Sequence, residues 1–306
     1  MKTIALLLAL ALALPAYAAE PVLNNRFAAS IEPAERFDVG VLAVERHGER
    51  GVPMILVPGL ASGAWAWQDV VRRFKASHVI YVVTLPGFDG RPAAAGPVFE
   101  QARASLRQLI VSKKIDRPVM VGHSLGATLS IALAERDSSL LRGVVAIDGL
   151  PVMPGTENAP LAMRAQMAAG IKSRLDAADP GQFPAQQQQY MRGIGVLDTA
   201  RADELAKLSS RSDPQAVNAI MAEVMAQDLR ADLPKIAVPV LLVAPFFEAD
   251  AVTRGITQPM AKEYYTSLMQ GTPKLTVVSI APSRHFVMFD QPELLAETLS
   301  GFIKTL

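Results

Sequence analysis

The sequence predicts an α/β protein with a mostly parallel central sheet, flanking helices and an inserted helical segment. Three observations support this fold class. Apolar runs alternate with helical periodicity at residues 53–148 and again at residues 238–305. Residues 119–128 have the glycine spacing of a sharp strand-to-helix turn. Between the two alternating blocks, residues 151–235 contain helical periodicity and no strand-like run.

The first 18 residues have the three parts of a secretory signal peptide. Lys2 supplies the positive charge, residues 4–14 are apolar, and Ala16 and Ala18 are small residues before the cleavage site. The apolar run is shorter than the roughly 20 residues that span a bilayer. We therefore expect cleavage after Ala18, with Ala19 as the alternative, no stable membrane anchor afterwards, and a periplasmic or secreted protein.

Composition narrows the function classes. The chain has 30 basic and 29 acidic residues, a net charge of +1, and no long block of either sign. Neither a nucleic-acid partner nor an electrostatic membrane surface is expected from such a balance. The absence of cysteine excludes a disulfide framework, a thiolate nucleophile and a cysteine zinc site. No two histidines have metal-ligand spacing, and we expect neither a metal nor a cofactor.

The individual elements follow from the local patterns. Residues 36–46 partly alternate apolar and polar side chains, as an edge hairpin does. Short apolar runs predict strands at 53–57, 78–83, 118–121, 143–148, 238–244 and 274–280. Helical periodicity predicts helices at 64–75, 99–112, 258–269 and 292–305, and a further helix after residue 126. We assign residues 19–150 and 236–306 to one α/β core and residues 151–235 to a helical lid.

Ser124 lies on the predicted strand-to-helix turn. Gly122 and Gly126 stand two residues either side of it, where a side chain would collide with the neighbouring strand or helix. This Gly-X-Ser-X-Gly spacing is typical of a nucleophile elbow, in which the serine projects from the sheet edge. The structural alternative is a serine that only caps a helix. The apolar run before the motif and the helical run after it favour the elbow.

A serine nucleophile needs a base, usually an imidazole that a carboxylate holds in one tautomer. The sequence has four histidines. His123 adjoins Ser124 and would point the other way, His47 lies in the turn after the hairpin, and His78 opens a strand at its amino end. His285 alone follows the last strand, at the sheet edge where open α/β sheets bind ligands. We therefore predict that His285 is the base.

Acyl transfer also requires hydrogen-bond donors aimed at the developing oxyanion. The elbow supplies one donor, the backbone N–H of Leu125. Gly59 allows close backbone approach after the strand at 53–57 and places the backbone N–H of Leu60 as the second donor. The two donors predict ester-type chemistry.

These motifs make the chain resemble the α/β-hydrolase superfamily over nearly all of its mature length, and in particular single-domain serine hydrolases with a helical lid. The matching segments are residues 57–60, 85–88, 122–126, 284–286 and 291–293. Pro58 stands where a histidine is common in that family, and Thr84 stands where an aspartate is common. Serine at position 124 separates the chain from the dehalogenases and epoxide hydrolases, which resemble this pattern but have aspartate there.

The carboxylate that would orient His285 has three candidates. The resemblance implies an acid after the strand at 238–244, where Glu248 and Asp250 lie in a loop without the expected glycine. Some members of the family instead have the acid where Asp148 lies, at the carboxyl end of the strand next to the elbow strand. Asp148 could also be a structural residue that bonds loop amides. We take Asp148 as the first candidate and Asp250 and Glu248 as alternatives.

The signal-peptide pattern and the resemblance together imply an exported serine hydrolase, most typically a carboxylesterase that acts on small or medium apolar esters through an acyl-enzyme on Ser124. Its partner would be a small-molecule ester. Two other classes stay open: a weakly catalytic, receptor-like ligand-binding hydrolase, and a cofactor-free perhydrolase or haloperoxidase.

The predicted lid gives one indication of substrate. Its methionines would either line an acyl pocket or, more commonly, pack helix on helix. They are Met153, Met163, Met167, Met191, Met221 and Met225. The four glutamines at residues 186–189 are most simply a solvated helix face. The sequence predicts no oligomeric state.

Overall fold

Eight strands form a single sheet in the computed structural model, which describes residues 25–306. The strands are β1 (Glu35–Val39), β2 (Leu42–His47), β3 (Met54–Val57), β4 (Ile80–Thr84), β5 (Val119–His123), β6 (Gly143–Ile147), β7 (Val240–Pro245) and β8 (Leu275–Ile280). Their order in the sheet is β1-β2-β4-β3-β5-β6-β7-β8. Strand β2 pairs antiparallel with β1 and β4, and all other neighbours pair in parallel.

Helices cover both faces of the sheet. They are α1 (Gln68–Phe74), α2 (Val98–Ser112), α3 (Leu125–Asp137), α4 (Leu161–Asp176), α5 (Phe183–Tyr190), α6 (Thr199–Ser209), α7 (Pro214–Ala226), α8 (Glu248–Ala251), α9 (Gln258–Leu268), α10 (Val287–Asp290) and α11 (Pro292–Ile303). Within residues 25–306, no helix combines the length and the apolar character that crossing a membrane requires. The predicted signal peptide, residues 1–18, lies outside the described residues.

The sheet separates two hydrophobic layers, and β3 contributes to both. Ile55 and Val57 face the layer that contains α2 and α3, while Met54 and Leu56 face the layer that contains α1 and α11. All four side chains are fully buried. Successive side chains of a strand point to opposite faces, so a strand covered on both sides must be apolar at every position. This is the physical reason for the unbroken apolar runs in the sequence.

The four helices α4 to α7 lie between β6 and β7. Helix α4 packs against α7, and α5 packs against α6. The two ends of this segment are joined by an isolated antiparallel bridge between Val152 and Asp228, and by a 2.8 Å hydrogen bond from Leu229 N–H to the Pro151 carbonyl. The segment therefore leaves and rejoins the sheet at one place.

The parallel strands bring three loops to one edge of the sheet. Ser124 follows β5, Asp148 follows β6, and His285 lies in the loop after β8. Since β5 and β6 are neighbours and the carboxyl ends of parallel strands share an edge, side chains far apart in sequence can meet there.

Candidate active site

Ser124 occupies the turn between β5 and α3 in a strained backbone conformation. Its φ is 52° and its ψ is −120°, which is uncommon for a residue with a Cβ. The turn is held by hydrogen bonds from Ser124 N–H to the Ile147 carbonyl and from Ala127 N–H to the Ser124 carbonyl, both 2.9 Å long. A conformation of this kind costs about 1–3 kcal/mol and persists only where its surroundings enforce it.

Three glycines make room for this turn. A Cβ on Gly122 would lie 2.2 Å from the Gly126 carbonyl oxygen, and a Cβ on Gly126 would lie 2.1 Å from that of Val57. A Cβ on Gly149 would lie 2.3 Å from the Ser124 carbonyl oxygen. The sequence pattern identified the first two glycines and missed Gly149. Its only local signal is its position directly after Asp148 at the end of a buried strand.

His285 and Asp148 form a close pair beside Ser124. The Nδ1 of His285 lies 2.5 Å from Oδ2 of Asp148, and both side chains are largely buried. Burial alone would raise the pKa of Asp148. The charge of His285 and hydrogen bonds from His285 and Tyr265 outweigh burial and hold this pKa below its usual range. Asp148 therefore stays ionised and can orient the imidazole.

Tyr265 supplies the second hydrogen bond to Asp148. Its hydroxyl donates to Oδ1, the carboxylate oxygen that His285 does not use. Burial, and then the negative charge of Asp148, raise the pKa of Tyr265 well above its usual value, so the phenol keeps its proton and remains a donor. Tyr265 was not predicted from the sequence. It lies on α9, 117 residues from Asp148, and no local pattern relates the two.

The alternative acids lie elsewhere. Asp250 forms a two-pronged ion pair with Arg284, at 2.7 Å to Nε and 2.8 Å to Nη2. Glu248 is exposed at the beginning of α8. Of the three predicted candidates, the structure brings only Asp148 into contact with His285.

Hydrogen bonds connect the loop that contains His285 to the inserted segment. The N–H of His285 donates to the Ile194 carbonyl at 3.2 Å, and that of Phe286 donates to the Gly195 carbonyl at 2.9 Å. Both carbonyls belong to a π-helical turn, Met191–Gly195. Asp290 adds a third connection, because its carboxylate accepts hydrogen bonds from Leu197 N–H in the inserted segment and from Arg284 N–H in the loop. Any shift of this turn would therefore move the imidazole.

The other three histidines have different positions. His123 is fully buried, and its Nε2 lies 2.9 Å from the His285 carbonyl oxygen. Burial, with a smaller contribution from the charge of His285, lowers the pKa of His123 to about 3, so it is neutral. The centroid of its ring lies 4.5 Å from that of His285, with the two rings tilted by 53°. His47 ends β2, and His78 packs on Phe74 before β4.

Both predicted oxyanion donors are in segments next to Ser124. Leu125 begins α3, and Leu60 lies in the loop after β3. Among residues 25–306, the structure gives no backbone acceptor to either N–H. The Leu60 loop is held by Ser62, whose N–H donates to the Gly59 carbonyl and whose hydroxyl donates to the Leu60 carbonyl, both at 3.2 Å.

Two cavities meet at Ser124 and His285, and both are walled by the inserted segment. The first chamber, of about 230 Å³, is lined by Ser124, Leu125, Thr128, Asp148, Gly149, Leu150, Pro151, Val152, Met153, Pro154, Val224 and His285. The second chamber, of about 240 Å³, is lined by Leu60, Ala61, His123, Ser124, Leu175, Phe183, Gln186, Gln187, Tyr190, Val217, Asn218, Met221, His285 and Phe286. An ester whose carbonyl lies at Ser124 could thus extend in two directions.

The chambers refine two readings of the sequence. Of the methionines considered as pocket residues, Met153 and Met221 line a chamber, while Met191 is buried in packing and Met163 and Met167 are exposed. The glutamine run is only partly a solvated face. Gln186, Gln188 and Gln189 are exposed and Gln187 is partly buried, while Gln186 and Gln187 also line the second chamber.

Comparison with known proteins identifies the family. The model of the alpha/beta hydrolase family matches residues 54–298. The chain is a member of the alpha/beta hydrolase family. The match runs from β3 to the last helix and therefore includes the elbow, Asp148 and the His285 loop.

Two similar proteins share about a quarter of their residues with this chain. The chain is 25% identical over 253 residues to the biotin biosynthesis bifunctional protein of Cellvibrio japonicus, covering 83% of this chain and 48%, about half, of that protein. It is 26% identical over 255 residues to the pimeloyl-[acyl-carrier protein] methyl ester esterase of Neisseria meningitidis, covering 81% of this chain and 92% of that protein.

A solved structure gives the same view of the fold. A thermophilic esterase from Thermogutta terrifontis, determined with malate bound, superposes with a TM-score of 0.70 at 19% identity, over 89% of this chain and 99% of that one. The predicted fold class, an α/β-hydrolase fold with a mostly parallel sheet, is confirmed. The predicted enzyme class is confirmed as well, and the chain is a serine ester hydrolase.

Proposed function

We propose that the chain is a carboxylesterase that cleaves small or medium apolar esters through an acyl-enzyme on Ser124. One observation carries the proposal: His285 is hydrogen-bonded to Asp148 and lines, together with Ser124, the two chambers that meet at the elbow. Serine, imidazole and carboxylate are the components of a catalytic triad. The activity of the similar methyl ester esterase supports an ester as the scissile bond.

Acylation follows from these positions. Ser124 Oγ attacks the acyl carbon while Nε2 of His285 takes the hydroxyl proton. The carbonyl oxygen becomes an oxyanion, which accepts hydrogen bonds from the backbone N–H groups of Leu60 and Leu125. Asp148 stays ionised and stabilises the imidazolium through Nδ1–H. When the C–O bond breaks, His285 gives the proton to the leaving alcohol.

Deacylation repeats these steps with water. His285 takes a proton from a water molecule that attacks the Ser124 ester, and the same two N–H groups bind the second oxyanion. Breaking the bond to Ser124 Oγ releases a carboxylic acid, and His285 returns the proton to the serine. The chamber volumes of about 230 and 240 Å³ together fall in the lower half of the roughly 300–1,000 Å³ typical of ligand pockets, which supports small or medium substrates.

The proposal includes two further features. The signal-peptide pattern of residues 1–18 supports export and action in the periplasm or outside the cell. The four helices between β6 and β7 wall both chambers, which supports their assignment as a lid over the site.

Hydrolysis of p-nitrophenyl esters from acetate to octanoate tests the reaction. We expect the wild-type protein to hydrolyse the shorter esters and a fluorophosphonate probe to label Ser124. Ser124→Ala should lose about 10³-fold or more of kcat, because the residual rate would come only from binding and the oxyanion donors. Equal rates for the two proteins, or labelling that persists in Ser124→Ala, would contradict the mechanism.

A further inference from the structure

The two chambers differ in the chemistry of their walls. The first chamber is lined by apolar side chains apart from the catalytic residues and Thr128, whose hydroxyl already donates to the Leu150 carbonyl at 3.0 Å. The second chamber places uncharged hydrogen-bonding side chains next to the nucleophile, and three of them are Gln187, Tyr190 and Asn218. No Lys, Arg, Asp or Glu is among the residues that line the second chamber in the described part of the chain.

Much of this hydrogen-bonding capacity is unused by the protein. Asn218 Nδ2 donates to Asp176 Oδ1 at 3.1 Å, which leaves its carbonyl oxygen free to accept. Within residues 25–306, neither the Tyr190 hydroxyl nor the Gln187 amide has a hydrogen-bond partner. Burial, and then the charge of Asp148, raise the pKa of Tyr190, so its hydroxyl remains a donor. None of these polar atoms is among the buried unpaired atoms of the described residues, so each stays accessible to a ligand in the chamber.

The combination of groups matches one class of ligand. A carboxamide needs a donor for its carbonyl oxygen and acceptors for its N–H groups, and the second chamber provides Tyr190 for the first and Asn218 and Gln187 for the second. A carboxylate would lose its hydration without meeting a cationic side chain, and an ammonium group would meet no carboxylate wall. An alkyl group would leave the polar side chains unpaired.

We propose that the second chamber is a subsite for an uncharged amide group, so that the preferred substrates are esters with a carboxamide on one side of the scissile bond and an apolar group on the other. The inference rests on the proposed esterase function and names its substrate class. Phe183, Val217 and Met221 surround the polar residues and would pack against the linker between the amide and the ester.

Two series of synthetic esters test the subsite. One series contains methyl esters whose acyl chain ends in a primary amide, an isopropyl group or a carboxylate. The other contains acetate esters whose alcohol ends in the same three groups. In at least one series we expect kcat/KM to be about tenfold higher for the amide than for the isopropyl ester, and lower still for the carboxylate. A preference for the isopropyl or carboxylate ester in both series would overturn the proposal.

Substitutions of the chamber residues test whether these residues cause the preference for the amide ester. Gln187→Leu and Asn218→Leu should each reduce the amide-to-isopropyl ratio several-fold. Gln189→Leu is the matched control, because Gln189 lies on the same helix, is exposed and does not line the chamber. The ratio is insensitive to partial misfolding, since inactive protein lowers both rates equally. An unchanged ratio in both chamber variants would overturn the assignment, as would an equal loss in Gln189→Leu.

Failure of this inference is distinguishable from failure of the esterase proposal. Wild-type protein that hydrolyses p-nitrophenyl acetate but has no amide preference would overturn the subsite alone. Wild-type protein that hydrolyses no ester in either series, nor p-nitrophenyl acetate, would overturn both.

Discussion

The proposal of Asp148 as the triad acid depends on one contact, with His285, that crosses 137 residues of sequence. Asp148 and Asp250 both follow a predicted strand, and both are acidic residues in loops at the same sheet edge. Local pattern cannot separate them, because the choice depends on where the side chain of His285 points. In the structure, Asp250 forms an ion pair with Arg284, the residue before His285. Adjacent residues of one loop thus bind the two competing carboxylates.

Substitution of each aspartate by asparagine tests whether Asp148, and not Asp250, serves His285. Asp148→Asn should lower kcat by about 10⁴-fold, the loss typical when a triad carboxylate becomes an amide and the imidazole is held in the wrong tautomer. Asp250→Asn should leave kcat within a few-fold of wild type, because it removes a charge from the partly exposed pair with Arg284. Esterase kinetics on both variants provide the measurement. A large loss in Asp250→Asn with normal activity in Asp148→Asn would reverse the assignment.

Tyr265 contributes to the same carboxylate through its hydroxyl. Tyr265→Phe removes a hydrogen bond that lowers the pKa of Asp148, so this pKa should rise. A more basic Asp148 stabilises the imidazolium form of His285, and that form cannot take the proton of Ser124. The acid limb of the kcat/KM profile should therefore move to higher pH, with about a tenfold loss at neutral pH from one hydrogen bond to a charged group.

The neighbouring tyrosine provides the control for this experiment. Tyr264 lies beside Tyr265 on α9, but its hydroxyl bonds Glu157 rather than the triad. Tyr264→Phe should retain the wild-type pH profile. An acid limb that stays in place in Tyr265→Phe, with activity lost at every pH alike, would reduce Tyr265 to a packing residue.

At the level of elements, most of the sheet was predictable because burial on both faces demands continuous apolar runs. Strands β3 to β8 each fall within or beside a predicted run, and helices α2, α9 and α11 lie close to the predicted bounds. The second chamber was not predictable in the same way. Gln186 and Gln187 belong to a short polar run that the sequence predicts to be solvated, and only the tertiary position of α5 places these two at the rim of the chamber, Gln187 partly buried and Gln186 exposed.

A buried arginine anchors the inserted helices. Arg164 lies in the first turns of α4 with its side chain 1% exposed, 3.0 Å from Asp228 Oδ2 and 2.8 Å from the Thr156 hydroxyl. Asp228 forms the bridge with Val152 where the segment rejoins the sheet. Arg164 thus ties the first helix of the insertion to both of its ends.

Loss of this anchor should loosen the insertion. Arg164→Leu should destabilise the protein by about 3 kcal/mol, the lower end of the range for breaking a buried ion pair, because Arg230 still holds Asp228. Thermal unfolding and limited proteolysis measure the effect, with cleavage expected first within residues 151–235. Arg174→Leu, on an exposed position of the same helix, is the control and should change neither. Equal behaviour of the two variants would exclude an anchoring role.

For the whole molecule, the order of the strands explains why the elbow could be predicted from the sequence while the residues that contact the site from distant parts of the chain could not. The elbow is a contiguous motif whose glycines are required by contacts within a few residues and with the adjacent strand, so it is visible locally. His285 was predicted to be the base by elimination among four histidines, and the structure places it in contact with Asp148. Tyr265 and Gly149 act only through the tertiary arrangement, which juxtaposes the ends of β5 and β6 with α9.

Export is the property of the whole chain that its first 18 residues predict. Expression of residues 1–306 in a bacterial host should give a soluble product outside the cytoplasm whose amino terminus is Ala19, because Ala16 and Ala18 have the small side chains that signal peptidase accepts. Fractionation followed by intact mass measurement checks this. Ala18→Arg should cause the precursor to accumulate, whereas Ala19→Ser, one residue beyond the cleavage site, should be processed normally. Recovery of the wild-type chain from the cytoplasm with residues 1–18 intact would contradict export. An esterase confined to the cytoplasm would meet a different set of esters.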